Sequence, residues 1–367
     1  MCVCDPRLAG FDLFPEEEPE NHVAPHLLGR IMSMLRTMAG GDTGQVVTTS
    51  HSPSIVARVA PEEIRYLRKV KGSNITVVRS VELPGEANEQ HSYVREAVCA
   101  YPELYFSRFV VLGEGSSEEV VLPRVATASD VPFDRSFVSM VPLGGRHVAH
   151  FWRLLTSLGI PHVTLLDLDR ERPGGGWGRI KYALKQLLAV GRPRNTLLAI
   201  EDNGVRSVLT QGDLDAMHQW ETDEEDMSGW LDCLEKHNVF FSAPLDLDFL
   251  MQRAFKEAYE RVDDEALGPS IPTDPETYEK AAGAVVKAVL KGKKKTAETY
   301  TADEVKAFFW YRYLFLGRSK PSTHLEAMTR VDADSCGKNA PPVLARLVER
   351  VAEGLADTGA AEADEVA

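Results

Sequence analysis

The apolar positions of this chain follow two different periods. Short unbroken runs such as "FVVLG" (109–113) and "HVTLL" (162–166) read as strands buried on both faces, whereas "HLLGRIMSMLRTMAG" (26–40) repeats its apolar residues at helical spacing. Through the middle of the chain the two patterns alternate regularly: strand 108–114, helix 116–129, strand 136–142, helix 146–158, strand 161–167. Two strand–helix units feeding a third apolar strand predict an α/β fold built on a mainly parallel sheet with right-handed crossovers. Around that centre the pattern changes. Residues 1–76 carry an acidic loop, the amphipathic helix, the strand "QVVTTS" and a further helix and strand; 77–100, with Pro84 and Gly85, read as a connector. The domain at 101–250 is expected to hold a helical insertion at about 171–235, opening on the glycine hinge of "ERPGGGWGR", before the sheet resumes at "NVFFSAPLDLD" (238–248). Residues 251–352 read as a helical region, and 353–367, rich in Ala, Glu and Asp, as a disordered tail.

Composition narrows the class. With 367 residues, 44% of them hydrophobic, the chain can bury a sizeable core. Its longest apolar runs fall far short of the roughly 20 residues that span a bilayer, and its N-terminus lacks a basic segment followed by an apolar one, so a cytoplasmic, membrane-free protein is expected. Five cysteines with no paired C-x-x-C suggest neither a disulfide framework nor a zinc site. The net charge of -14 argues against adhesion to nucleic acid through a broadly basic surface. One compact basic run, Lys291 to Lys295, stands apart; a solvated helix end and a phosphate-backbone contact are both open readings of it.

The candidate chemistry is acidic. "GEGSSE" follows the first central strand where a phosphate-binding glycine loop often lies, yet Glu114 and Glu118 would set two anions there. A capping box of Ser116 with Glu119 is the structural alternative. The third strand ends on Asp167 and Asp169, which share a face if the strand stays extended across Leu168, and "APLDLDFL" adds Asp246 and Asp248 at the same i, i+2 spacing, unless Asp246 serves only as an N-cap. Carboxylates converging on the carboxyl edge of a parallel sheet repel one another unless cations sit between them, and all-oxygen sites suit hard divalent ions.

Glu114 in "VLGEGSSEE" followed by "LLDLD" resembles a Toprim domain, the metal-binding α/β module of primases, topoisomerases and nucleases. "LFPEEEPENHVAPHLL" resembles the Walker B strand and following loop of ABC-type ATPases, and "QVVTTSHSPSIV" their histidine switch loop. Joined, these motifs resemble the OLD family of ATP-dependent endonucleases, which includes Gabija-type defence nucleases, over most of residues 11–325. The resemblance implies roles for individual residues. Glu17 would be the magnesium ligand, Glu18 the base that activates water and His51 the γ-phosphate sensor; Glu114, Glu118, Asp167, Asp169, Asp246 and Asp248 would hold two Mg²⁺ or Mn²⁺ ions; Lys320 is the best match to a lysine that the family places downstream of its Toprim acids. An ordinary helix C-cap is the other reading of the cations Arg318 and Lys320.

Three departures qualify the likeness. Ser50 interrupts the switch loop, which reads "TTSHSP"; Asp248 stands where a glutamate is common; and the sequence holds no G-x-x-x-x-G-K-[ST]. Bound ATP is therefore expected only if a missing N-terminal half or a partner supplies the Walker A loop. The leading expectation is a two-metal DNA endonuclease, with RNA as the other nucleic-acid substrate and a homo-oligomer implied by the family. The alternative is a non-catalytic remnant or assembly subunit that binds a partner ATPase or nucleic acid.

Overall fold

The structure, a computed structural model, describes residues 12–21, 23–40, 44–69, 73–81, 99–143, 148–202, 205–221, 223–262, 268–292 and 296–363. The chain divides into two compact units, 1–107 with 157–160, and 108–156 with 161–367. In the first, β1 (Asp12–Glu17) pairs in parallel with β2 (Gly44–Thr49), and β3 (Arg65–Lys69) pairs antiparallel with β4 (Thr76–Ser80). The helix Leu28–Ala39 buries Leu28, Met32 and Leu35 against Ile55, the i, i+4, i+7 stripe that its sequence pattern predicts.

The second unit is organised by a four-stranded sheet. Its strands are β5 (Phe109–Gly113), β6 (Val138–Pro142), β7 (His162–Asp167) and β10 (Val239–Ser242), in the order β10-β7-β5-β6 with every pair parallel. All five residues of β5 are buried, which is why it reads as a continuous apolar run rather than an alternation. The helix Ser116–Ala128 covers it with Val121, Leu122, Val125 and Ala126, and the same core continues through Phe249, Phe308 and Tyr311 to Leu347 and Val351. The C-terminal helices therefore share the core of the sheet.

The strand–helix alternation lies where the periodicity puts it, with differences at the ends. The segment 238–248 is strand only to Ser242; a cis Ala243–Pro244 bond follows, and Asp246 is the N-cap of the helix Leu247–Ala254. The insertion is not wholly helical, because β8 (Ala199–Asp202) and β9 (Val205–Val208) form an antiparallel hairpin between its helices. Residues 353–363, expected to be disordered, continue the helix Pro342–Ala363, whose Leu344, Leu347, Val348 and Val351 are buried. Cys2 and Cys4, connector residues 82–98, Lys293 to Lys295 and tail residues 364–367 lie outside the described residues. No described helix is long and apolar enough to cross a membrane.

Candidate metal centre

The acids gather at the carboxyl edge of the sheet because three short segments end there. Glu114 follows the last residue of β5, and Asp167 is the last residue of β7. Gly113 lets the next helix start close by: a Cβ there would sit 2.6 Å from that of Glu118. Beyond Asp167 the backbone does not stay extended, since Asp169 adopts a left-handed φ of 54°. The turn then folds back on itself, and Gly175 lies so near that a Cβ would meet the Asp169 carbonyl oxygen at 1.8 Å. This reversal brings Arg172 and Arg179 to the acids.

Carboxylate oxygens of Asp167, Asp169 and Asp246 lie within 4.8 Å of one another. Glu114 borders them, accepting a 3.0 Å hydrogen bond from the Asp167 amide. Arg179 spans Glu114 Oε1 (2.9 Å) and Asp169 Oδ2 (2.7 Å), while Arg172 spans Asp169 Oδ1 (2.6 Å) and Asp246 Oδ2 (2.9 Å). The Tyr311 hydroxyl also donates to Asp246 Oδ2, at 2.5 Å, and Asp246 Oδ1 accepts from the Phe249 amide. Asp246 thus serves as helix cap and cluster member together, where the sequence offered these as alternatives.

Glu118 and Asp248 stand outside the triad. Glu118 Oε2 caps its own helix by accepting from the Gly115 amide at 2.9 Å; the cap is Gly115 with Glu118, not Ser116 with Glu119. Asp248 Oδ1 accepts from Ser117 Oγ (3.0 Å) and lies 2.7 Å from His324 Nε2, and its Oδ2 is ion-paired with Lys320 Nζ. Lys320 is also 3.8 Å from Asp246 Oδ2. It opens the helix Lys320–Met328 instead of capping the end of the preceding one, and Pro321 takes an early helical position where its missing N–H costs nothing. His324, one turn further on, is fully buried, with Tyr259 Oη 2.6 Å from its Nδ1.

The surroundings split the carboxylates into two classes. Burial pushes Glu118 up to about 8, against the pull of its cap bonds. Burial likewise raises Asp167 well above the usual carboxylate range, and Glu114 and Asp246 push it the same way. Glu114 is raised too, burial outweighing Arg179 and the Asp167 amide. Asp169 and Asp248 go the other way. Burial would raise both, but Arg172 and Arg179 pull Asp169 down, and His324 with Lys320 hold Asp248 down at about 2. No lysine, arginine or histidine among the described residues reaches ion-pair distance of Asp167. A half-buried carboxylate without its own cation, in an all-oxygen set, fits a hard divalent ion.

In the first unit, Glu17 ends β1 opposite Thr49 of β2, and His51 Nε2 lies 3.5 Å from Glu18 Oε1. The intervening Ser50 donates to Glu20 Oε1 at 2.5 Å. Arg172, Arg179, Tyr311 and His324 were not singled out from sequence. The His324 signal was present, four residues after Lys320 and so on the same helix face; the arginines flank the glycine run but carry no periodic mark.

Residues 105–169 match the family described as Overcoming lysogenization defect protein-like, TOPRIM domain. The match spans Glu114, Glu118, Asp167 and Asp169 and stops short of Asp246, Asp248 and Lys320. Among solved structures, the C-terminal region of the Burkholderia pseudomallei OLD protein is 19% identical, with 68% of this chain and 99% of that one covered and a TM-score of 0.39. The C-terminal region of the Xanthomonas campestris pv. campestris OLD protein is 17% identical, with 69% and 96% covered and a TM-score of 0.36. No curated protein matches.

Proposed function

We propose that this chain, an OLD-type protein by its Toprim domain, is a divalent-metal-dependent endonuclease that hydrolyses DNA phosphodiester bonds. The observation that carries the reading is the convergence of Glu114, Asp167, Asp169 and Asp246 at one sheet edge, with Lys320 beside them. When bound, Mg²⁺ or Mn²⁺ would activate water and neutralise charge at the phosphodiester. Asp167, Asp169 and Asp246 would hold the ion, with Glu114 completing the set. Asp248 then acts through Lys320: it lies outside the triad and its Oδ2 pairs with the ammonium, so its role is to aim that group, and Glu118 shapes the helix start. The Lys320 side chain is 40% exposed, which leaves Nζ reachable by a phosphate on which negative charge develops.

The first unit supports a nucleotide-binding role only as a partial site, through Glu17, Glu18 and His51. Its ATP chemistry would depend on a Walker A loop supplied by another polypeptide segment, so the chain alone should not turn over ATP.

The test is conversion of supercoiled plasmid by the purified chain. Nicked or linear product should appear with Mn²⁺ or Mg²⁺ and vanish with excess EDTA or in Glu114→Ala. Product that persists in either control overturns the reading. The competing view, a non-catalytic assembly subunit, predicts no product under any of these conditions.

A further inference from the structure

We infer that Arg179 is a displaceable counter-ion that competes with a divalent ion for Glu114 and Asp169 and must leave when the ion binds. This rests on the metal-centre reading above. Both oxygens of Asp169 are already taken by guanidinium groups, Oδ1 by Arg172 and Oδ2 by Arg179. A divalent ion that takes Asp169 as a ligand would sit against a positive charge on either side, so one arginine has to give way.

The two arginines are not held alike. Arg172 is buried and tied to neutral groups as well as acids: its Nε donates to the Val289 carbonyl at 3.0 Å and its Nη2 to the Tyr311 hydroxyl at 2.9 Å. Removing it would strand those partners. The hydrogen bonds of Arg179 go only to carboxylate oxygens, those of Glu114 and Asp169, which are the groups that an ion would claim. Its side chain is 24% exposed, so a path to water is open. It also rides on the first turn of the helix Trp177–Ala189, directly after the Gly174–Gly176 run, and leaving costs no backbone hydrogen bond. The arrangement keeps Glu114 and Asp169 compensated in the absence of metal and makes loading an exchange of one cation for another.

Two consequences separate this from a merely structural arginine. First, Arg179→Ala should bind Mn²⁺ more tightly than the unaltered protein by roughly tenfold or more, because a charge-assisted pair no longer has to be broken. Second, free guanidinium ion at low millimolar concentration should restore the competition in Arg179→Ala, weakening its Mn²⁺ binding, and should leave the unaltered protein little changed. Both are read by titrating Mn²⁺ against the full-length chain while following the free-ion electron paramagnetic resonance signal, with circular dichroism confirming the fold. Arg179→Lys, which keeps the charge, should stay close to the unaltered affinity.

Equal or weaker Mn²⁺ binding by folded Arg179→Ala, with no guanidinium effect, overturns the inference while leaving the metal centre standing. If neither protein takes up Mn²⁺, the metal-centre reading falls and this inference with it. An Arg179→Ala chain that does not fold shows that Arg179 is a fixed structural cation and also overturns it, provided that Arg179→Lys folds.

Discussion

Replacing Lys320 by alanine removes a cation that contacts two acids of the site. Its ammonium pairs with Asp248 and lies 3.8 Å from Asp246 Oδ2. Two opposite charges at that separation attract by about 4 kcal/mol at an effective dielectric of 20, before the cost of desolvating them. The net contribution to folding is far smaller, because the lysine side chain is 40% exposed and Asp248 keeps Ser117 and His324 as partners. A loss of about 1 kcal/mol is expected, which lowers the melting temperature of a chain this large by roughly 1 to 2 °C. Catalysis should suffer much more. A positioned cation facing developing negative charge contributes about 2.7 to 4 kcal/mol by analogy with oxyanion donors, so cleavage should fall by roughly 10² to 10³. The assay is single-turnover cleavage of a labelled duplex with Mn²⁺, beside a melting curve and a Mn²⁺ titration for the same variant. Cleavage at the unaltered rate, or a loss explained wholly by unfolding or by lost Mn²⁺ affinity, would refute the role given to Lys320.

Other perturbations test separate links. Glu118→Gln keeps an oxygen for the Gly115 amide and removes a carboxyl pushed up to about 8 by burial. A raised carboxyl contributes stability that is present below its unfolded value near 4.5 and is lost as pH rises through the folded value. The unaltered protein should therefore lose melting temperature between about pH 5 and pH 8 more steeply than Glu118→Gln, and parallel curves across that range would count against the buried-acid account. Because Asp167 is raised in the same sense, Mn²⁺ should stabilise the chain more at pH 8 than at pH 6, as read by the shift in melting temperature at fixed ion concentration. Gly175→Ala places a methyl 1.8 Å from the Asp169 carbonyl oxygen and should open the turn, with a loss of several kcal/mol and of Mn²⁺ binding; near-native melting would show that the turn relaxes easily. Lys293→Ala should weaken duplex binding modestly and less so at high salt, as measured by fluorescence anisotropy, and a salt-independent effect would exclude a phosphate contact.

How far the fold was legible depended on whether local periodicity or distant packing decided each element. β5 and β7 are buried on both faces, so their sequences are unbroken apolar runs, and the intervening helices keep amphipathic spacing. The hairpin β8–β9 is short and sits between helices, giving little alternation to read. The helix Pro342–Ala363 is held by Leu344, Leu347, Val348 and Val351, and past 353 Leu355 still packs on the same core, a tertiary contact that the Ala-, Glu- and Asp-rich composition does not announce. At the site, Glu114 and Asp167 were visible because they end strands. Asp246 and Asp248 were visible as acids, but their positions were set by a helix start that the apolar run of β10 masked. Arg172 and Arg179 were not visible, because a reversal at Asp169 and Gly175 brings them in, and no spacing rule anticipates where such a turn points its flanking residues.

The central claim is a divalent-metal centre at the carboxyl edge of the sheet, and Mn²⁺ titration of the unaltered chain against Asp167→Asn tests it most directly. Asp167 is the half-buried carboxylate of the triad with no ion-pair partner among the described residues, and asparagine keeps its shape and its acceptor for the Leu247 amide, so the fold should survive. The account predicts saturable Mn²⁺ uptake by the unaltered chain and a loss of at least tenfold in affinity in Asp167→Asn. Uptake of equal strength in both proteins, or none in either, would contradict it.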